Sequence, residues 1–387
     1  MVPFRLPNQE TLTIEKLVYG GEGLARLEGK VVLTPFVLPG EVVRVETDRA
    51  KNDLWRGRLL AVLQPSPARV TPGCPYFQRC GGCQYQHIDY PFQLEQKREI
   101  LREVLQRVGK IAFTGEIGLI SGEPWQYRNR VQLHIEDGAV GYFEQGSRKL
   151  CAIDHCPIAS PKLNETIGKI EPQRASTALE LFTNETDAQV NVIDRVPRPE
   201  LAALSSLGVT TPVEYESLRV SRNSFFQVNR FLIDRLVQCA LGDARGEWAV
   251  DLYAGVGLFA VKLAERFGKV TAVESGGSAF RDLAHNFGHL DSTQAPVNAN
   301  VEDYLASLQE TPDFVLADPP RAGLGKLVVR ELLRIHAPRL TIVSCDPATL
   351  ARDLQGLLAG NYSLQKITLV DLFPQTFHLE AVVELSA

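Results

Sequence analysis

The chain has 387 residues, 44% of them apolar and 22% charged, enough to bury two or three cores and too apolar for an unfolded polypeptide. No apolar run approaches a bilayer crossing and the first seven residues lack the apolar stretch of a signal peptide, so a cytoplasmic protein without membrane contact is expected. Net charge is −5, but residues 1–110 carry +4 and the remainder −9, so a polyanion should meet the N-terminal third.

Residues 11–17, 23–27, 30–36, 41–47 and 55–62 are short runs rich in Val, Leu and Ile. Gly20-Gly21, Glu28-Gly29 and Pro39-Gly40 separate several of them. This spacing predicts a small OB-like barrel, a form that often binds oligonucleotides. Arg44, Arg49, Lys51, Arg56 and Arg58 could contact phosphates there, or form an ordinary charged rim. After a Pro-rich linker comes Cys74-Pro-Tyr-Phe-Gln-Arg-Cys80-Gly-Gly-Cys83. Seven Cys, with three in this C-x5-C-x2-C loop, argue for a metal site rather than a disulfide framework. A 4Fe–4S cluster and a structural zinc ion both suit three thiolates on a glycine turn; zinc could also recruit His87 or His155. The apolar spacing predicts a helix over 92–108. Strands are expected within 125–152, where Arg128, Asn129 and Arg130 could grip RNA or lie as ordinary surface. Residues 157–215 carry little signal. A helix follows at about 230–241.

From Trp248 the pattern alternates strand and helix, an α/β signature. Strands are expected at 248–252, 270–273, 314–317, 341–343, 365–370 and 381–385, the last two able to pair antiparallel. Asp251-Leu-Tyr-Ala-Gly255-Val-Gly257 is a glycine turn between strand and helix, and Glu274 lies 17 residues past Gly257 at the next strand end. A carboxylate there can take two ribose hydroxyls. A dinucleotide loop would have a third glycine where Ala260 stands, and Asp251 would repel a pyrophosphate while suiting a sulfonium. S-adenosylmethionine (SAM) therefore fits better than NAD. Cys345, in Thr341-Ile-Val-Ser-Cys-Asp-Pro347, falls at the carboxyl end of a buried strand, where α/β sheets place chemistry. Taken alone, it is as readily a small buried thiol.

Together these motifs resemble the TRAM-domain, iron–sulfur-containing RNA uridine-5-methyltransferases of the 23S rRNA (uracil-5-)-methyltransferase type. The motifs in order are the Cys74–Cys83 loop, Ser224-Phe-Phe-Gln227-Val-Asn, Asp251–Gly257, Asp318-Pro-Pro-Arg-Ala-Gly, Ser344-Cys345-Asp-Pro and Phe373-Pro-x-Thr-x-His378-x-Glu380. The resemblance implies Cys345 as nucleophile and Glu380 as base. It implies Gln227, Tyr253, Gly255, Gly257, Glu274, Asn300 and Asp318 around SAM. Cluster ligands would be Cys74, Cys80, Cys83 and, from His155-Cys156-Pro-Ile, Cys156 in preference to Cys151. The implied architecture is a TRAM barrel at 1–66, a central α+β iron–sulfur domain at 67–217, and a Rossmann-like, mostly parallel SAM methyltransferase domain with a C-terminal antiparallel hairpin at 218–387. The expected partner is RNA, rRNA rather than tRNA, with no obligate protein partner and a monomeric enzyme.

The chemistry needs these groups. Carbon 5 of uracil is a poor nucleophile until a thiolate adds to carbon 6, and a carboxylate must then remove the carbon 5 proton. Two other readings compete: an amino-group methyltransferase using Asp318-Pro-Pro-Arg, and a non-catalytic iron–sulfur RNA-binding protein.

Overall fold

The structure is a computed structural model that describes residues 8–49, 54–171, 176–193, 204, 206–209, 211–291 and 293–387. It divides into two compact units: one of Met1–Ile100, Tyr142–Cys151 and Phe373–His378, the other of Leu101–Gly141, Ala152–Leu372 and Leu379–Ala387. Among the described residues no helix is long and apolar enough to cross a membrane.

In the first unit, strands Asn8–Thr13, Lys16–Leu17, Glu22–Leu27, Lys30–Pro35, Val42–Arg49 and Leu54–Gln64 form one curled sheet. Every pairing is antiparallel except that of Lys30–Pro35 with Leu54–Gln64. Alternating residues Val32, Val43 and Val45 point inward with Leu12, Ile14, Ala25 and Val37 to make the core, as period-2 patterning requires. Register shifts at Val42/Val43 and Arg44/Val45 bend the long strand and curl the sheet. Arg44 is exposed, whereas Arg56 is engaged by Glu22 and Arg58 by Glu46. Such exposed pairs are worth little and can be exchanged for phosphates. Lys51 and the side chain of Arg49 lie outside the described residues. In the same unit the backbone amides of Gln84 and Tyr85 both donate to the carbonyl of Gln375, and buried Lys97 donates to that of Phe373 at 2.9 Å.

The second unit is built on an eight-stranded sheet. Its order is Ala295–Asn298, Phe267–Glu274, Gly246–Leu252, Phe314–Ala317, Arg339–Ser344, Ala381–Ser386, Ser363–Val370 and Ile117–Ile120. Only Ala381–Ser386 runs against the others. Phe314–Ala317 is buried throughout and apolar throughout, as a central parallel strand must be. The expected antiparallel pairing of the last two strands is present, and the mixed, mostly parallel sheet matches the Rossmann-like expectation. Nothing in the sequence pointed to Ile117–Ile120, which pairs in parallel with Ile367–Val370.

The stretch that carried little signal holds a hairpin, Thr177–Thr183 with Ala188–Ile193, whose first strand also pairs with Arg130–Glu136. Its turn is set by Asn184, whose side-chain oxygen accepts from the amides of Thr186 and Asp187, while Glu185 takes φ +74°.

Candidate functional site

Strand Gly246–Leu252 has Phe267–Glu274 on one side and Phe314–Ala317 on the other. Successive crossovers leave it in opposite directions, so a crevice opens beyond its carboxyl end. Asp251 and Leu252 close the central strand, Glu274 the second, and Asp318 follows the third. Three acids thus converge on one end of the sheet.

The glycine turn follows. Tyr253 has φ +61°, Gly255 +58° and Gly257 +96°. A Cβ on Gly255 would meet nothing within 4 Å, so its absence serves the backbone conformation and leaves open space beside the turn. The Gly255 amide donates to Glu274 Oε2 at 2.9 Å, and Glu274 Oε1 accepts from the Gly276 amide. Glu274 therefore already orders the turn on which a cofactor would sit. Asn300 stands at the start of helix Val301–Ser307 without a side-chain capping bond and is exposed, with Nδ2 toward Asp303 at 3.4 Å.

Gln227 reaches the crevice from the segment before helix Ile233–Leu241. Its Nε2 donates to Asp318 Oδ2 at 3.2 Å, and its own carbonyl accepts from Asn129 Nδ2 at 3.0 Å. Asn129 and Arg130 are buried props rather than a surface for RNA. Arg130 pairs with Glu180 at 2.9 Å, donates to the Ser224 carbonyl at 2.8 Å and lies 4.5 Å from the Phe182 ring centre. A sequence shows that such residues are polar, not which way they face.

Strand register brings Cys345 and Glu380 near each other. Ser344 lies opposite Ala381 at the end of the antiparallel ladder, so Cys345 and Glu380 are the next residues off that end, and the charge of Glu380 bears on the thiol. The following residue, Asp346, caps helix Pro347–Ala359 by accepting from the amides of Ala348 and Thr349, both at 2.9 Å. The thiol is half-buried between strand end and helix start, while Glu380 is 4% exposed.

The site is electrostatically loaded. Burial, then Glu380 and Asp318, push the Cys345 thiol up to about 11, with Arg321 pulling the other way. Burial and then Asp318 hold Glu380 well above the usual carboxylate range, again against Arg321. Burial raises Asp318 to about 7, although part of its surface opens to the crevice and water moderates the effect. Asp251 is fully buried, and neither oxygen makes a hydrogen bond of ordinary geometry; burial and then Asp318 raise it, while the nearby Ala260 amide pulls it down. A cation in the crevice would relieve this mutual repulsion. Arg321 carried no sequence-derived role, yet it bears on both Cys345 and Glu380. Its place three residues after Asp318 was the available signal.

Two family descriptions match the chain: TRAM domain over residues 9–60, and tRNA (Uracil-5-)-methyltransferase over residues 303–387. It is 34% identical to the 23S rRNA (uracil(1939)-C(5))-methyltransferase RlmD of Chromohalobacter salexigens, over 97% of this chain and 89% of that protein. The chain belongs to the RNA uracil-5-methyltransferase family. It is an RNA (uracil-5-)-methyltransferase, a SAM-dependent enzyme with an N-terminal TRAM domain. An uncharacterized RNA methyltransferase of Aquifex aeolicus is 32% identical over 97% of each chain. Among solved structures, the Pyrococcus abyssi tRNA (uracil-54, C5)-methyltransferase with S-adenosyl-L-homocysteine matches with a TM-score of 0.74 at 26% identity. That match covers 97% of this methyltransferase and all of the other chain.

The cysteine loop of this methyltransferase is tightly folded. The Cys80 amide donates to the Tyr76 carbonyl at 2.8 Å, that of Gly81 to Phe143 at 2.9 Å, and that of Gly82 to Cys80 Sγ at 3.4 Å. Cys151 is buried, with Arg79 Nε 3.1 Å from its sulfur. Cys156 belongs to the second unit, its amide held by Asn164 Oδ1 at 2.8 Å. Among the described residues no group of three or more His, Cys, Asp or Glu side chains is disposed to hold a metal ion.

Proposed function

We propose that this enzyme methylates carbon 5 of a uridine in 23S rRNA through transient covalent attachment of the base to Cys345. The pairing of Cys345 with Glu380 by the Ser344–Ala381 register carries this reading. Bound SAM supplies an electrophilic methyl group. The Cys345 thiolate adds to carbon 6, and the displaced π electrons make carbon 5 nucleophilic. Carbon 5 takes the methyl group, leaving S-adenosylhomocysteine. Glu380 then removes the carbon 5 proton, the 5,6 double bond re-forms and the thiolate departs. The raised affinity of Glu380 for a proton makes it a stronger base for that step.

Gln227, Tyr253, Gly255, Gly257, Glu274, Asn300 and Asp318 are read as the cofactor contacts. The convergence of acids suits a sulfonium, and an open glycine turn suits a nucleoside. A base inside a helix is out of reach, so the target uridine is unpaired or flipped. Phe225, 62% exposed and two residues before Gln227, offers a ring on which a splayed base can stack. We read 1–66 as the RNA-binding TRAM region, 67–217 as a central domain and 218–387 as the catalytic domain of a monomer. An amino-group methyltransferase would leave the Cys345–Glu380 pairing without a use.

The 34% identical relative named for 23S rRNA favours rRNA over tRNA. Mapping 5-methyluridine in total RNA from cells with and without this enzyme tests it. Loss of one or more 5-methyluridines from 23S rRNA is expected. Loss confined to tRNA would move the substrate to the alternative, and no loss in any RNA would favour a non-catalytic RNA-binding protein.

A 4Fe–4S cluster on Cys74, Cys80, Cys83 and Cys156 rests on the C-x5-C-x2-C spacing and on the Gly82 amide that faces Cys80 sulfur. It has no part in the methyl-transfer steps above. Protein purified without oxygen is expected to be brown and to hold about four irons per chain. Stoichiometric zinc in a colourless preparation would replace the cluster with a structural ion.

A further inference from the structure

We propose that Asp282 and Asn286, one turn apart on helix Gly277–Phe287, are positioning residues that set SAM affinity by tying the Gln227 segment to the glycine turn. The inference rests on the reading of Gln227 and the glycine turn as cofactor contacts. Asp282 is completely buried. Its Oδ2 accepts from the Ser221 amide at 2.8 Å and from Ser224 Oγ at 2.6 Å. Its Oδ1 accepts from Ser221 Oγ at 2.6 Å and pairs with Arg219 Nε at 3.1 Å. Three hydrogen-bond donors and one guanidinium on a single buried carboxylate leave it little freedom to rearrange. Ser224, so fixed, is three residues before Gln227.

Asn286 continues the same seam. Its Oδ1 accepts from the Arg219 amide at 2.9 Å, and its Nδ2 donates to the Arg219 carbonyl at 3.2 Å and to the Val256 carbonyl at 2.8 Å. Val256 stands between Gly255 and Gly257. One side-chain amide therefore spans the base of the Gln227 segment and the middle of the glycine turn. Neither residue touches the crevice where Gln227 meets Asp318, so both act through others. Their spacing matters: residues four apart on a helix lie one above the other on one face, and here that face holds both strips of backbone.

The consequence is specific. Without the tie, the folded enzyme must order both strips when SAM binds, so affinity falls while the chemistry at Cys345 is untouched. The test uses the full-length protein, with SAM binding by calorimetry and steady-state kinetics with RNA. Asp282→Asn, Ser224→Ala and Asn286→Ala are expected to raise SAM Kd and KM by about tenfold each. Turnover at saturating SAM and RNA should stay within about threefold of wild type. Gln227→Ala is run beside them. If Gln227→Ala leaves SAM affinity unchanged, the reading of Gln227 as a cofactor contact fails. If Gln227→Ala weakens binding while the other three lower only the melting temperature, the positioning role is overturned. Should Asp282→Asn not fold, Ser224→Ala, which leaves the buried carboxylate its Ser221 and Arg219 partners, decides the question alone.

Discussion

Cys345→Ala is expected to reduce 5-methyluridine formation by at least about ten-thousandfold while SAM affinity stays within about threefold. The reason lies in the substrate. Carbon 5 of uracil does not attack a methyl donor until carbon 6 carries a nucleophile, and Cys345 is the thiol that directly follows strand Arg339–Ser344. Cys239 is elsewhere, on helix Ile233–Leu241. RNA bearing 5-fluorouridine at the target should become covalently bound to the wild-type protein with SAM present and not to the variant, as a denaturing gel would show. The pH dependence follows from the thiol being pushed up to about 11. In the ligand-free enzyme at pH 8 Cys345 is therefore mostly thiol, and the thiolate fraction rises about tenfold per pH unit below that value. Alkylation of Cys345 by iodoacetamide should therefore accelerate steadily from pH 7 to pH 10. Adding SAM at fixed pH should accelerate it further, because a sulfonium favours the thiolate. Undiminished methylation by Cys345→Ala would end the covalent account.

The second large effect is expected at Glu380. Glu380→Gln should still add the thiol to the base and pass the methyl group, then stop with the proton on carbon 5 and the base bound to sulfur. Turnover should fall by about 10²–10⁴-fold. A protein–RNA adduct carrying labelled methyl should accumulate with ordinary RNA, without any fluorinated analogue. Charge gives a second readout of the same variant. Glu380 is itself held toward its protonated form, so removing it changes little around Cys345 at low pH. As pH rises and the wild-type carboxylate ionises, Glu380→Gln should alkylate faster than wild type. An inactive variant that leaves no adduct would assign Glu380 to an earlier step.

Much of the site could be read in the chain. Buried parallel strands are short apolar runs, so 314–317 was evident to the residue, and the acid or thiol after each run marked the chemical end of the sheet. The N-terminal strands were legible to within a few residues because glycine-containing turns punctuate them, although the run 11–17 is divided between Asn8–Thr13 and Lys16–Leu17. Three kinds of fact were not. The nearness of Cys345 to Glu380 depends on which strands neighbour each other, and it follows from the Ser344–Ala381 end of the inserted antiparallel pairing. Asn129 and Arg130 are polar residues turned inward, and composition says nothing of direction. The role of Asp282 lies in contacts to residues about sixty positions away, beyond any local pattern.

The outermost strand, Ile117–Ile120, hydrogen-bonds to Ile367–Val370 from a point far earlier in the chain. A fragment of residues 218–387, cut out to study catalysis alone, would leave one side of Ser363–Val370 with bare amides and carbonyls beside Ile367 and Leu369. Such an unprotected margin recruits other chains. Aggregation of that fragment, and its relief when a peptide spanning 115–122 is supplied, would follow from this one parallel pairing.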